Sequence, residues 1–593
     1  MNRGIRVGLS ILPALLLILS APGRAYADDC FTLTGNVPAG GECKVTSART
    51  VAPAAYSLDE TLHFLPGSSI TVSPVTSPFQ LSVTGSLVMD AGSKLSADSA
   101  AGPAGTITIT TTVDITLKGG SPGALITANG PNTSCSPSKP KAGVIILAAA
   151  KNVLTEPGSE VDTIGPCGKG EITITGENVT IDGQVLSKGT TTKGAGGPIT
   201  VKATCDFLES DTGVILSIGE DPGADLVHVE GGCSATIYGL VASTGSAHDI
   251  TPPYPNKCAD ANHVGKPSNS LACVEIWAGE NTNNPGGKAV VIDSRPPHNG
   301  EVHADTATGA GAGTKGTGWV DIFAKGDIEI DGDVALPFSV HANQGVGNGH
   351  GGLVTVKSTT KGVSLLGLAL QASDKSSGGS GGTVTVHAKL DVNLNNSTGE
   401  IEAAGNPGGG GSQNGGHVFI RSFGNAPSTG SILVTAPFLL DVTGKTPPNG
   451  TVDLRACGTI AFAPFGPATG TIAPASIVPT GGTSICGGAP ELPAGVVLPT
   501  CQCVALVCVQ ATQFTHASGT AAVSIAGTGL AAVDAVYANA TCSLTGAVQL
   551  PITSQTNTNI VVNTAGVPPS TYHIILNIPG VGTECSQGTV ALP

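Results

Sequence analysis

A short phrase, apolar–any–apolar behind one or two small residues, returns along this chain at intervals close to thirty residues. It reads Ile107-Thr-Ile109, Ile145-Ile-Leu147, Ile172-Thr-Ile174 and Ile199-Thr-Val201 in the first half. It continues as Val274-Glu-Ile276, Val320-Asp-Ile322, Val354-Thr-Val356, Val384-Thr-Val386, Val418-Phe-Ile420 and Val452-Asp-Leu454. The last five copies start 34, 30, 34 and 34 residues apart. Strands this short cannot bury an apolar side alone, so successive turns must stack and shield one another. Like side chains then pile up along a narrow axis. The expected fold is all-β: a right-handed parallel β-helix over residues 61–460, with roughly 13–14 turns. A row of Ig-like sandwiches would need intervals near ~100 residues and bulkier interiors.

Within residues 381–405 the pattern resolves further. It predicts a strand Thr383–Ala388, a second strand Leu390–Leu394, a turn Asn395–Gly399 and a third strand Glu400–Ala404, each alternating with period two. No stretch carries a 3.6-residue period of helical length. Charged residues are 12% and aromatics 3% of the 593 residues. So low a charge content in so apolar a chain excludes intrinsic disorder. The scarcity of aromatics excludes the girdles of a membrane barrel.

The first 27 residues read as a signal peptide, with Arg3 and Arg6, an apolar stretch Val7–Leu19 and the small-x-small site Ala25-Tyr-Ala27. That stretch is too short to span a bilayer, and no later run approaches that length, so a secreted or cell-surface protein with no membrane span is expected. Without the leader, 24 basic residues face 42 acidic ones, a net charge of −18. Such acidity argues against nucleic-acid binding. All 15 cysteines follow the leader, and an oxidising compartment makes disulfides their default state. Residues 28–60, with Cys30 and Cys43, are expected to cap the solenoid, because an open end is an unpaired edge. Residues 461–503 are rich in Pro and Gly and read as a linker or second cap. Cys486, Cys501, Cys503 and Cys508 are crowded enough for zinc, but no His stands at ligand spacing.

Residues 504–593 change character, with strand patterns at Ala521–Ile525, Val533–Tyr537, Ile560–Val562 and Tyr572–Ile578. Val523-Ser-Ile-Ala-Gly-Thr-Gly-Leu530, followed by Asn559–Thr564 and Pro568–Tyr572, resembles the IPT/TIG family of Ig-like domains. Ala565 stands where that family has Pro. The resemblance implies a β-sandwich used for spacing or binding, which Cys542 and Cys585 could staple. The long repeat region is similar in pattern to bacterial surface β-helices of the haemagglutinin and polymorphic-surface-protein kind.

Outward positions of the repeat carry the first site expectation. Lys357, His387, Arg421 and Arg455 fall at equivalent places in four turns and should stack at about 5 Å steps. Such a cationic column suits an acidic extracellular glycan or other surface polymer, or is simply a solvated face neutralised by Asp391 and Asp453. Residues 248–305 break the repeat and hold His248, Asp249, Tyr254, Asp260, His263, Trp277, Arg295, His298 and His303, the place to look for acid–base chemistry. The plainer reading is a loop closed by a Cys258–Cys273 disulfide. Asp327, Glu329 and Asp331 form an acidic row that could hold Ca²⁺ or be plain surface. Gly349-His-Gly351 is similar to the catalytic Gly-His-Gly of β-helical polygalacturonases, but their Asn-Thr-Asp, paired-Asp and Arg-x-Lys elements have no ordered counterpart. No nucleotide, zincin or nucleophile-elbow motif occurs. No catalytic residue, metal or cofactor is therefore assigned, and nothing sets an oligomeric state. The expected function is a non-catalytic adhesin-like or carbohydrate-binding rod, with a polysaccharide lyase or glycoside hydrolase as the alternative.

Overall fold

The structure is a computed structural model. It describes residues 29–75, 77–131, 142–166, 170–190, 196–219, 226–245, 272–281, 287–306, 318–333, 338–343, 351–373, 380–405, 414–425, 429–435, 438–444, 450–462, 477–479, 485–493 and 496–501, together with 513–516, 522–526, 535–539, 547–555, 559–565, 567–568, 570–578 and 582–592. The chain divides into two compact units, Met1–Cys501 and Gln502–Pro593.

In the first unit each turn contributes strands to three faces. The first face is a sheet of fourteen strands running from Ala55–Leu58 to Ile477–Pro479. Every strand pair within it is parallel and in register, as in Val144–Ala149 on Thr106–Thr111 and Leu353–Ser358 on Trp319–Ala324. The second face starts at Glu42–Val45 and the third at Ala48–Val51, again with parallel neighbours one turn apart. Long parallel sheets stacked in this way are those of a parallel β-helix solenoid.

The register explains the repeat. Ile107, Ile145, Ile172, Ile199, Val227, Val274, Val320, Val354, Val384, Val418 and Val452 occupy one position in successive strands. None is more than 6% exposed. Each β-branched side chain rests on its counterpart about 4.8 Å away, and χ1 stiffness makes that ordering cheap. Thirteen such steps make the stack roughly 60 Å long. Across residues 248–305 the expected break lies between strands, not in them: Cys273–Ala278, Val290–Asp293 and Glu301–Thr306 all pair in register with the turn before.

Residues 381–405 differ from expectation. The turn predicted at Asn395–Gly399 is absorbed into one strand, Val392–Glu402, lying on another long strand, Val363–Gln371. These two strands bend from the second face into the third and so join them. Gly367 makes the bend: its φ is +63°, and a Cβ there would lie 1.9 Å from the Gly332 carbonyl oxygen.

At the first end a five-residue helix, Cys30–Thr34, closes the stack. Gly35 ends it in the left-handed conformation, Cys30 is disulfide-bonded to Cys43, and Leu33 joins the common core. Among the described residues no helix is long and apolar enough to cross a membrane.

The second unit holds two four-stranded antiparallel sheets. One is built from Gln513–His516, Ala522–Ala526, Ile552–Gln555 and Asn559–Asn563, the other from Ala535–Asn539, Val548–Leu550, Ser570–Ile578 and Gly582–Leu592. Val523, Ile525, Val536, Ala538, Ile560, Val562, Ile574 and Leu576 share one core.

One core position breaks the apolar rule. Glu209 stands in the column between Ile181 and Ile237, fully buried, with neither carboxylate oxygen hydrogen-bonded. Burial pushes its pKa well above the ordinary 4.5, only partly opposed by the backbone N–H of Ile215. The folded chain keeps this proton where the unfolded chain loses it, so the group's contribution falls as pH rises above 4.5. Glu209→Ile is expected to stabilise the solenoid by about 1–3 kcal/mol at neutral pH. Glu209→Gln should match wild type near pH 4 and exceed it increasingly at higher pH. Thermal melts of the three proteins across that range check both statements.

Candidate functional site

The outward side of the first face has two columns. One reads Lys202, Glu230, Trp277, Phe323, Lys357, His387, Arg421 and Arg455 in successive strands. The structure thus places Lys357, His387, Arg421 and Arg455 in consecutive turns. They do not form an open strip. Residues 485–501 run back along this face as a strap. Cys486 is disulfide-bonded to Cys457, and Cys501 to Cys233, six turns earlier. That is roughly 29 Å along the axis.

The strap is held by more than its ends. Lys357 Nζ donates to the Glu491 carbonyl at 2.9 Å, Lys389 Nζ to the Gly488 carbonyl at 2.5 Å, and Lys325 Nζ to Thr500 Oγ1 at 3.2 Å. Leu492, Val496 and Leu498 pack on Phe323 and Trp277. Pro490, Pro493 and Pro499 lack the N–H a sheet ladder needs, which keeps this segment off the strand edges and lying flat over side chains.

Between strap and sheet is a cavity of about 820 Å³ lined by Lys357, His387, Arg421 and Phe423 on one side and by strap residues including Gly488 and Glu491 on the other. Its charges are not four equal cations. Burial, then the neighbouring Lys357 and Arg421, push His387 down to about 3, so it is a neutral imidazole. Burial also lowers Lys357, against the pull of Asp321 and Glu491. Arg455 is committed to Asp453 through Nε at 3.0 Å and Nη2 at 2.9 Å. Arg421 approaches the same carboxylate only at 3.9 Å. Arg421 Nε and His387 Nε2 are buried and without a hydrogen-bond partner. Three of the four expected residues therefore line a cleft, and the fourth neutralises a carboxylate beside it. Further down the face, His228 lies between Glu275 at 3.1 Å and Glu230 at 3.4 Å, with Lys202 on Glu230 at 3.0 Å, a closed ionic group.

The third face carries a second polar system that the sequence reading missed. His303, His341, Gln371, Glu402 and Asp441 share one register position in successive turns. Glu301 Oε1 lies 2.8 Å from His303 Nδ1 and 2.8 Å from His341 Nε2. Asp305 Oδ1 meets His341 Nδ1 at 3.0 Å and accepts the Asn343 backbone N–H at 2.8 Å. Asn343 donates to Gln371 at 2.6 Å, and Gln371 donates on to Glu402. Burial together with Glu402 and Asp441 raises Glu400 to about 7. The signal was present as Glu301-Val-His303 and Val340-His341, one turn of 38 residues apart, but only the register makes them neighbours.

The remaining candidates are resolved as follows. Asp331 is buried and bridged to Arg295, which also clamps Asp293, while Glu329 meets Lys288 at 3.4 Å. Basic side chains thus stand where Ca²⁺ was entertained. His298 stacks on Tyr238 and faces Asp211 at 2.6 Å. The zinc reading at Cys486 and Cys501 gives way to their disulfides. Cys205, Asp206 and Cys233 also cluster, but both cysteines are disulfide-bonded. Cys273 is disulfide-bonded too. Cys258, Cys542, Cys503, Cys508, His248, Asp249, Tyr254, Asp260, His263 and His350 lie outside the described residues, as does the side chain of Cys585. No protein-family model, no curated protein and no solved structure matches the chain.

Non-reducing peptide mapping is expected to recover Cys233 linked to Cys501 and Cys457 linked to Cys486. In the Cys233→Ser/Cys501→Ser double variant the strap should lift from Trp277, one of two tryptophans in the chain. A red-shifted emission with greater quenching by acrylamide checks this; an unchanged spectrum would show that the strap holds without its distal staple.

Proposed function

We propose that this protein is an exported, non-catalytic binding rod, adhesin-like or carbohydrate-binding, that takes an anionic group of an extracellular glycan or surface polymer into the cleft under the strap. The observation that carries the reading is the pair of buried, unpartnered nitrogens, Arg421 Nε and His387 Nε2, on the wall of the 820 Å³ cavity. A buried donor left unsatisfied costs about 1–3 kcal/mol, which an incoming carboxylate or sulfate oxygen recovers. Guanidinium geometry suits such an oxyanion, and Lys357 adds charge nearby. Phe423 offers a flat apolar wall for the body of a sugar. The acidic remainder of the protein restricts a polyanion to this locally basic place.

Export is supported by the basic-apolar-small leader and by disulfides at Cys30–Cys43, Cys233–Cys501 and Cys457–Cys486. A right-handed coil is the hand favoured when strands return in parallel. The haemagglutinin-like pattern and the IPT/TIG-like motif of residues 504–593 fit a surface rod that ends in an Ig-like spacer.

One observation favours the second reading, a polysaccharide lyase or glycoside hydrolase. Glu400, near 7 beside Glu402 and Asp441, has the proton affinity of a general acid at neutral pH.

A panel of carboxylated, sulfated and neutral glycans, scored for retention and for release of reducing or unsaturated ends, separates the two. Retention of acidic glycans without release is expected, weakened about 10- to 100-fold in Arg421→Ala and falling with added salt. Retention unchanged in Arg421→Ala and Lys357→Ala would sink the cleft; release of ends lost in Glu400→Gln would favour the enzyme.

A further inference from the structure

We propose that Glu301, His303 and His341 form a divalent transition-metal site of the zinc type on the third face, with Glu301 Oε1, His303 Nδ1 and His341 Nε2 as ligands. These atoms lie within 4.8 Å of one another, and two of the three separations are 2.8 Å. They come from two adjacent turns, because His303 and His341 pair in register and Glu301 sits two residues from His303 on the same strand.

Hydrogen bonding on the far side of each ring decides what converges here. His341 turns Nδ1 to Asp305 Oδ1 at 3.0 Å, the carboxylate–histidine arrangement that fixes a ligand's tautomer and raises its basicity. His303 turns Nε2 to Thr244 Oγ1 at 3.3 Å. With those distal nitrogens carrying the protons, both proximal nitrogens face the Glu301 oxygen as lone pairs. Three lone-pair atoms pointed at one another repel unless a cation sits among them. Protons could serve only by making both rings cationic, and the rings stack with centroids 4.8 Å apart, where two imidazolium charges oppose each other. A single dication answers all three ligands at once.

Ligands of a tetrahedral ion, with bonds near 2.0–2.1 Å, stand roughly 3.3 Å apart. The observed spacing needs only a few tenths of an ångström of opening. Two imidazoles and one carboxylate suit zinc, cobalt, nickel or copper over calcium or magnesium. His341 is 5% exposed, and the ladder Asp305–Asn343–Gln371–Glu402 supports it from the next turns. The Glu301 side chain is 29% exposed, leaving one side for water or a ligand in the remaining coordination position. This inference is independent of the cleft under the strap, which lies on another face.

The test uses the full chain, stripped with chelator and titrated with Zn²⁺, and with Co²⁺ for its visible d–d absorption. One equivalent of a metal held by this trio is expected, with a higher melting temperature and a Co²⁺ spectrum of low coordination number. His303→Ala and His341→Gln should each abolish the spectrum, and Asp305→Asn should weaken Zn²⁺ about 10- to 100-fold without changing stoichiometry. Far-ultraviolet circular dichroism establishes that each variant keeps its sheets; His303→Ala, at a partly exposed position, serves if His341→Gln does not fold. Absence of binding by the native chain, or binding undisturbed by the His303 and His341 substitutions, overturns the proposal.

Discussion

Everything in the first unit follows from one contact: a β-branched side chain resting on its counterpart one strand away. Because inward positions must match inward positions, register between turns is not free to slip by one residue without turning the whole apolar set outward. The outward positions inherit that register. Lys357 over His387 over Arg421, or His303 over His341, are consequences of valines and isoleucines that never meet solvent. Chemistry on such a scaffold is written across turns, with one residue from each, at a spacing the backbone sets.

The same constraint explains where polar groups can go. Outward residues on each face form ladders, and a ladder of like charge needs an answer. On the first face the answer is a strap, two disulfides and the Asp453 carboxylate. On the third it is alternation of imidazole, amide and carboxylate, each passing a hydrogen bond to the next turn. The inward side has no comparable device, which is why Glu209 stands out as a carboxyl among isoleucines.

How much of this was legible in the sequence depended on whether a feature repeats. The columns from Ile107 to Val452 could be read because the same phrase recurs, and the charged column could be placed by counting outward from it. Val392–Glu402 was misread as two strands and a turn because Asn395 to Gly399 look like turn residues locally, whereas pairing along Val363–Gln371 outweighs that preference. The strap was invisible for a different reason. Proline and glycine announce that residues 461–503 are not a strand, but nothing in composition says that Cys501 returns to Cys233. Lys357 and His387 consequently looked like solvated cations, and only the covering segment reveals one as shifted and the other as neutral. Likewise Glu301, His303 and His341 read as scattered residues in an irregular stretch until the register brings them together.

The crosslink between Cys233 and Cys501 has a mechanical meaning. It encloses 268 residues in a covalent ring, so tension applied at the two termini bypasses those coils through sulfur. At about 3.4 Å per residue, roughly 900 Å of slack is locked away from extension. Under load in flowing or sheared surroundings, such a molecule would stay short and keep the enclosed faces folded, while the coils before Cys233 bear the pull.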